Sequence, residues 1–213
     1  MPNPDSPINN DRYLLYIDIL GFSDLVTADS RKVHDLYEVI ASLNVHKHPS
    51  FQAIVFSDTI LVYNTHRPTT AYDRHYLVMY LCEFAQDLQD RLTGRGIVFR
   101  AVLVHGEFMH YELNSVPCFF GTALINAYRS EKQIPAIGLF TEHSIVPDSD
   151  IFQTTPFNDR YDFVFITQTL ETIENEHGGI FPIDRFYLEE TGLIYQLVRE
   201  RGPSWISSRQ QAC

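Results

Sequence analysis

The chain is 213 residues long and carries 16 Lys and Arg against 27 Asp and Glu, a formal charge of −11. That length suits one domain, and 45% hydrophobic with 20% charged residues excludes a disordered polypeptide. The negative charge argues against unspecific nucleic-acid binding, which needs Lys and Arg to displace counterions, so a polyphosphate ligand would need metal ions or a locally basic pocket.

Residues 1–11 are polar and Pro- and Asn-rich, a flexible lead-in. Tyr13 to Leu20 is an apolar and aromatic run broken by Asp18, the pattern of a strand buried on both faces. After Gly21-Phe22-Ser23, the residues Leu25, Val26, Val33, Leu36, Tyr37, Ile40 and Leu43 keep a helical period and predict one long helix. Phe51–Phe56 and Thr59–Tyr63 are apolar runs separated by Ser57-Asp58, a tight hairpin. Thr69 or Thr70 can cap a second helix with the stripe Leu77, Tyr80, Leu81, Phe84, Leu88 and Leu92, ended by Gly94 and Gly96. Ile97–Val104 predicts a strand, His105-Gly106 turns the chain, and Glu107–Glu112 predicts a short strand or arm. A helix over Gly121–Gln133 and strands over Ala136–Thr141 and Tyr161–Thr167 follow, then a less regular end.

The order of these elements is that of a split βαβ, or ferredoxin-like, α+β fold: an antiparallel sheet with helices on one face and a C-terminal elaboration. We expect a single domain over 12–213, with its core over about 12–142 and the elaboration over 143–213. In that topology the end of the first strand, with Asp18, and the hairpin tip, with Asp58, meet at one edge of the sheet. Two neighbouring carboxylates repel unless a cation lies between them, and oxygen ligands suit Mg²⁺ or Mn²⁺ with a nucleotide phosphate. The N–H groups entering the next helix can hold phosphate oxygens, and Gly21 permits close approach. Two plainer readings stand beside this one: Asp18 as a helix cap and Asp58 as an ordinary turn residue.

Four motifs resemble those of class III nucleotidyl cyclases. Asp18-Ile19-Leu20-Gly21-Phe22-Ser23 is similar to the first metal-binding motif of that family, and Phe56-Ser57-Asp58 to the second. Arg100 to Gly106 is similar to its strand ending in Gly, and Gly121 to Arg129 to its Asn/Arg helix. The hairpin Phe-Ser-Asp-Thr-Ile differs from the Gly-Gly-Asp/Glu-Glu-Phe of diguanylate cyclases. The resemblance implies two divalent ions, Mn²⁺ or Mg²⁺, held by Asp18, Asp58 and the carbonyl of Ile19. Gly21, Phe22 and Ser23 would bind phosphate. The ribose 3′-hydroxyl would attack the α-phosphate and release pyrophosphate, with Asn126 orienting the ribose and Arg129 stabilising charge. It also implies a homodimer with composite sites, Glu107–Glu112 serving as the dimerisation arm.

The purine-reading positions of the family fall on Ile54 and Cys118, and neither purine code is complete. The usual Asn position, four before Arg129, is Ile125, and Asn126 comes one later. Lys132 and Arg185 are candidates for the triphosphate-binding cation. This combination is most similar to the pyrimidine cyclases of Pycsar antiphage defence, which implies conversion of UTP or CTP to a cyclic mononucleotide that a separate effector reads. Arg100 could donate to a pyrimidine carbonyl or instead serve as a salt bridge or backbone brace; as a donor-only group it favours uracil. A cytidylate cyclase, a purine cyclase with a divergent pocket and a catalytically silent nucleotide-binding module are the alternatives.

Nine His and three Cys show no paired zinc spacing: His46 and His48 lie in a loop, and His105 sits at a strand end. Cys118 has no adjacent His and Asp that would make it a nucleophile. Cys82, Cys118 and Cys213 cannot form a disulfide scaffold, and Cys213 is not a prenylation box. The segment Tyr195–Trp205 is expected to pack on the core. No apolar run approaches the roughly 18 residues of a membrane span, and the start lacks a signal-peptide pattern, so the expected location is the cytoplasm.

Overall fold

The structure, a computed structural model, describes residues 10–92 and 95–166. The expectations for Gly94, Arg185, Tyr195–Trp205, Cys213 and most of the C-terminal elaboration lie outside the described residues.

The strands β1 (Asp11–Leu20), β2 (Phe51–Phe56), β3 (Thr59–Asn64) and β4 (Val98–Glu107) form the centre of a seven-stranded sheet. Its order is β2-β3-β1-β4-β7-β9-β8, with β7 Gly138–Glu142, β8 Thr154–Pro156 and β9 Tyr161–Val164. Among the described residues, only the β4–β7 pairing is parallel. The expected α+β, split βαβ order is therefore present, extended by three strands beyond β4.

Alternation along β1 divides two cores. Tyr13, Leu15, Ile17 and Ile19 face one side, where they pack with Leu36 and Ile40 of α2 (Ser30–Ser42) and with Leu81, Ala85 and Leu88 of α3 (Ala71–Leu92). Leu14 and Tyr16 face the other side, with Leu61, Val102 and Val104 and with Ala123 and Ala127 of α4 (Thr122–Gln133). The helices are thus not all on one face: α4 covers the second, because its small Ala stripe lets it lie close against β1 and β4.

The expected long first helix is two helices. Asp29, at φ −158°, ends α1 (Phe22–Ala28) and caps α2, its carboxylate accepting from the Arg31 N–H at 3.1 Å. An Asx cap competes with helix continuation, and it prevails here although the apolar period runs through it. Thr70 and Asp73 form a reciprocal cap on α3: the Asp73 N–H donates to Thr70 Oγ1 at 3.0 Å, and the Thr69 and Thr70 N–H groups donate to the Asp73 carboxylate. The expected arm is a hairpin of β5 (Met109–Leu113) and β6 (Val116–Phe120), joined through Asn114 and Ser115, both at positive φ. The second strand escaped the sequence reading because Ser115 is an uncommon residue for a left-handed turn position.

Candidate functional site

Asp18 and Asp58 meet where the topology requires. Asp18 lies opposite Thr59 on β3 and Arg100 on β4, so these three side chains share the α4 face of the sheet. The Ile19 N–H donates to the Asp58 carbonyl at 2.9 Å, which ties the end of β1 to the hairpin tip. The Tyr37 hydroxyl donates to the Ser57 carbonyl at 3.0 Å and holds the same hairpin to α2. Ser57 itself takes a left-handed φ of 56°.

Burial raises the Asp18 carboxyl to about 6, reinforced by the nearby Glu131 and Asp58 and opposed by Arg100. Glu131, in the last turn of α4, is 7% exposed and lies near enough to Asp18 to hold its carboxyl up. No spacing signal in the sequence points to Glu131, since its neighbour is on the first strand. Arg100 is committed to the same corner. Its Nη1 donates to the Glu131 carboxylate at 2.5 Å and to the Glu131 carbonyl at 2.8 Å, and its Nε donates to the Ala136 carbonyl at 3.1 Å. Of the two roles weighed for Arg100, these bonds are those of a brace.

Beside the aspartates, on the same face, lies a cavity of about 560 Å³. Ile54, Phe56 and Leu61 of the β2–β3 hairpin line one wall, and Leu124, Ile125, Tyr128 and Arg129 of α4 line another, with Phe119 from the arm. Its polar groups include Tyr16 and Thr59, whose hydroxyl oxygens are 3.4 Å apart. Burial raises the Tyr16 phenol, which keeps it a neutral donor and acceptor. Alternation from Asp18 would have placed Tyr16 on this face from the sequence; Thr59, Phe119 and Tyr128 needed the fold.

The remaining predicted residues divide. Ile54 and Arg129 line the cavity, whereas Asn126 and Cys118 do not. Ile125 occupies the cavity-facing position one turn before Arg129, and Asn126 is about 100° further round the helix. On β6 the strand alternation gives the cavity Phe119 and turns Cys118 away, its thiol donating to the Val116 carbonyl at 3.5 Å. Gly21, at φ 72°, opens α1. Ser23 is exposed in its first turn, while the Phe22 side chain packs in the core against Tyr37 and leaves only its backbone for a ligand. The Ile19 side chain is likewise in the core. Lys132 reaches over the Tyr128 ring, 4.7 Å from its centre, at the cavity end of α4. His105 is away from the site: it pairs with Tyr13, sets its ring 4.6 Å from that one at a tilt of 38°, and lies 3.4 Å from Asp11.

No group of three or more His, Cys, Asp or Glu in metal-holding array occurs among the described residues. Two carboxylates alone suit a hard cation that takes its other oxygens from a phosphate ligand and water. The high Asp18 value fits such a site, since a carboxylate repelled by Asp58 and Glu131 is one that a divalent cation would relieve.

Comparison with family models and with curated protein sequences gives no match. Solved structures do match. The guanylyl cyclase domain of the RhoGC fusion protein from the aquatic fungus Blastocladiella emersonii has 15% identity and a TM-score of 0.56, over 73% of this chain and 95% of that one. The guanylate cyclase domain of RhGC from Catenaria anguillulae, solved in complex with GTP, has 17% identity and a TM-score of 0.54, over 73% and 96%. The adenylyl cyclase CyaB from P. aeruginosa has 11% identity and a TM-score of 0.54, over 73% and 93%. The fold is that of class III nucleotidyl cyclase domains.

Proposed function

We propose that this protein is a nucleotidyl cyclase that converts a nucleoside triphosphate to a 3′,5′-cyclic mononucleotide and pyrophosphate. The observation that carries the proposal is the meeting of Asp18 and Asp58 at the end of β1 and the tip of the β2–β3 hairpin, in a fold shared with cyclase domains. Divalent ions, Mn²⁺ or Mg²⁺, bound by Asp18, Asp58 and the Ile19 carbonyl would offset the triphosphate charge and acidify the ribose 3′-hydroxyl. The first turn of α1, opened by Gly21, offers N–H groups without intrahelical acceptors to phosphate oxygens. The 3′-oxygen attacks the α-phosphorus, the bond to the β-phosphate oxygen breaks, and the 3′ proton leaves to solvent. Arg129 donates to the charge that develops on the α-phosphate.

The α4 acid beside Asp18 in the same chain is Glu131, while Arg129 lines the cavity. This arrangement supports a homodimer in which Arg129 of one subunit completes the carboxylate site of the other. The arm supports the same reading, with Tyr111, Leu113, Val116, Phe119 and Phe120 exposed on its two strands. An acidic protein could then act on a polyanion through the cations its aspartates hold.

For the base we infer a pyrimidine, with UTP ahead of CTP. Ile54 offers no donor to a purine, and the Cys118 thiol faces away from the cavity. With Arg100 held by Glu131, the hydroxyls of Tyr16 and Thr59 are among the cavity groups that can meet a pyrimidine edge. A cyclic nucleotide produced here would be read by a separate effector, as the Pycsar resemblance implies. The test incubates the purified chain with ATP, GTP, UTP or CTP and Mn²⁺ and separates the products. Cyclic UMP is expected; no cyclic product from any nucleotide would overturn the cyclase assignment, and a cyclic purine nucleotide the pyrimidine one. Ile125 in the cavity where the family has Asn favours a second reading, a silent nucleotide-binding module. Calorimetric binding of a triphosphate without turnover would select that reading.

A further inference from the structure

A second cavity, of about 380 Å³, opens on the opposite, helical face of the sheet, between the turn at Asn44–Lys47, the start of β2 and α3. Its walls include the rings of His48, Phe51, Tyr80 and Phe84. His48 lies 4.5 Å from the Tyr80 ring and 5.2 Å from that of Phe51, and Phe51 and Tyr80 stack at 5.7 Å. His48 accepts from the Ser50 N–H through Nδ1 at 3.2 Å, and its Nε2 lies 2.8 Å from the Tyr76 hydroxyl. Those two contacts fix the ring in place, so this wall presents π faces to the cavity.

Two carboxylates line the same space, Glu83 and Asp87. Asp87 is already paired with Arg91 at 2.8 Å. Glu83 has no hydrogen-bond or ion-pair partner among the described residues, although it is half-buried and burial raises its carboxyl. Lys47 also lines the cavity but is exposed, and no ion pair joins it to either acid among the described residues. A half-buried carboxylate without a partner is unfavourable, and the neighbouring ring faces are negative as well. An anion or a sugar would meet repulsion or unsatisfied groups there. An ammonium on an apolar body would meet a carboxylate, several ring faces and a space of ligand size.

We propose that this cavity binds a small organic cation, with its charge between Glu83 and the ring of Tyr80 and its apolar body against Phe51 and Phe84. The site is separate from the aspartates and does not rest on the nucleotide reading.

The test titrates the full chain by calorimetry and thermal shift with choline, phenethylammonium and spermidine, and with 3,3-dimethylbutan-1-ol as the uncharged shape match of choline. At least one cation should bind saturably with a dissociation constant below about 1 mM, and the alcohol at least about tenfold more weakly. Glu83→Gln, which keeps the shape and removes a burial cost, should fold normally and lose about tenfold in affinity; Tyr80→Leu should weaken the ammonium more than the alcohol. Equal binding of choline and the alcohol, no binding by any cation, or unchanged affinity in Glu83→Gln would overturn the proposal.

Discussion

Asp18→Asn tests the carboxylate site through stability as well as activity. Folding raises the Asp18 carboxyl from 3.8 to about 6, chiefly by burial and next by Glu131 and Asp58. A raised value favours the protonated form in the folded state, so the associated stability is complete below about pH 4 and is lost as the pH rises through about 6. At about 1.36 kcal/mol per unit the full difference is about 3 kcal/mol, and because the carboxyl is half-exposed, solvent screening reduces it to about 1–2 kcal/mol. About half of that is lost between pH 5 and pH 8, or about 0.5–1 kcal/mol. Asn keeps the shape of the protonated acid and carries no charge, so the variant avoids this loss. Its melting temperature relative to the wild type should therefore increase by about 1–4 °C from pH 5 to pH 8 in metal-free buffer. At pH 8, Mn²⁺ with a triphosphate should raise the melting temperature of the wild type and not of the variant. A difference that stays flat with pH, or equal stabilisation of both proteins by Mn²⁺, would refute the argument.

Other substitutions probe the same corner. Asp58→Ala should abolish cyclic product, by at least about a hundredfold, with an unchanged circular-dichroism spectrum; full activity would remove the two-metal assignment. Arg100→Ala leaves Glu131 nearly buried without its partner and should destabilise the fold by about 3 kcal/mol in urea titrations, while the residual activity keeps its ranking of nucleotides. A changed ranking would return Arg100 to base reading. Gly121 sits at φ 149°, where an added Cβ would lie 2.1 Å from the Glu107 carbonyl oxygen, so Gly121→Ala should cost about 3 kcal/mol and loosen the arm from α4, read as faster proteolysis of the arm. Ser57→Gly removes the strain of a left-handed Ser at the hairpin tip and should stabilise by about 0.5–1 kcal/mol in the same titrations.

What the sequence by itself determined follows from local rules and chain connectivity. Apolar runs located β1 to β4 and a period-3.6 stripe located α3, and the order of those elements was enough to bring Asp18 and Asp58 together, because β3 must return between β2 and β1. The cap at Thr70 and the hairpin turn at Ser57-Asp58 were legible because their chemistry is contained within a few residues. Choices among partners distant in the chain were decided only by the tertiary structure. Register set Arg100 opposite Asp18, and α4 lying on that face brought Glu131 and two carbonyls to its Nε and Nη1. The rotation of α4 brought Ile125 instead of Asn126 to the cavity, and strand alternation in the arm brought Phe119 instead of Cys118. A residue's type tells which chemistry it can perform, but whether that chemistry remains available depends on which face it occupies and which neighbour reaches it first. Both are properties of packing between elements and leave no local signature.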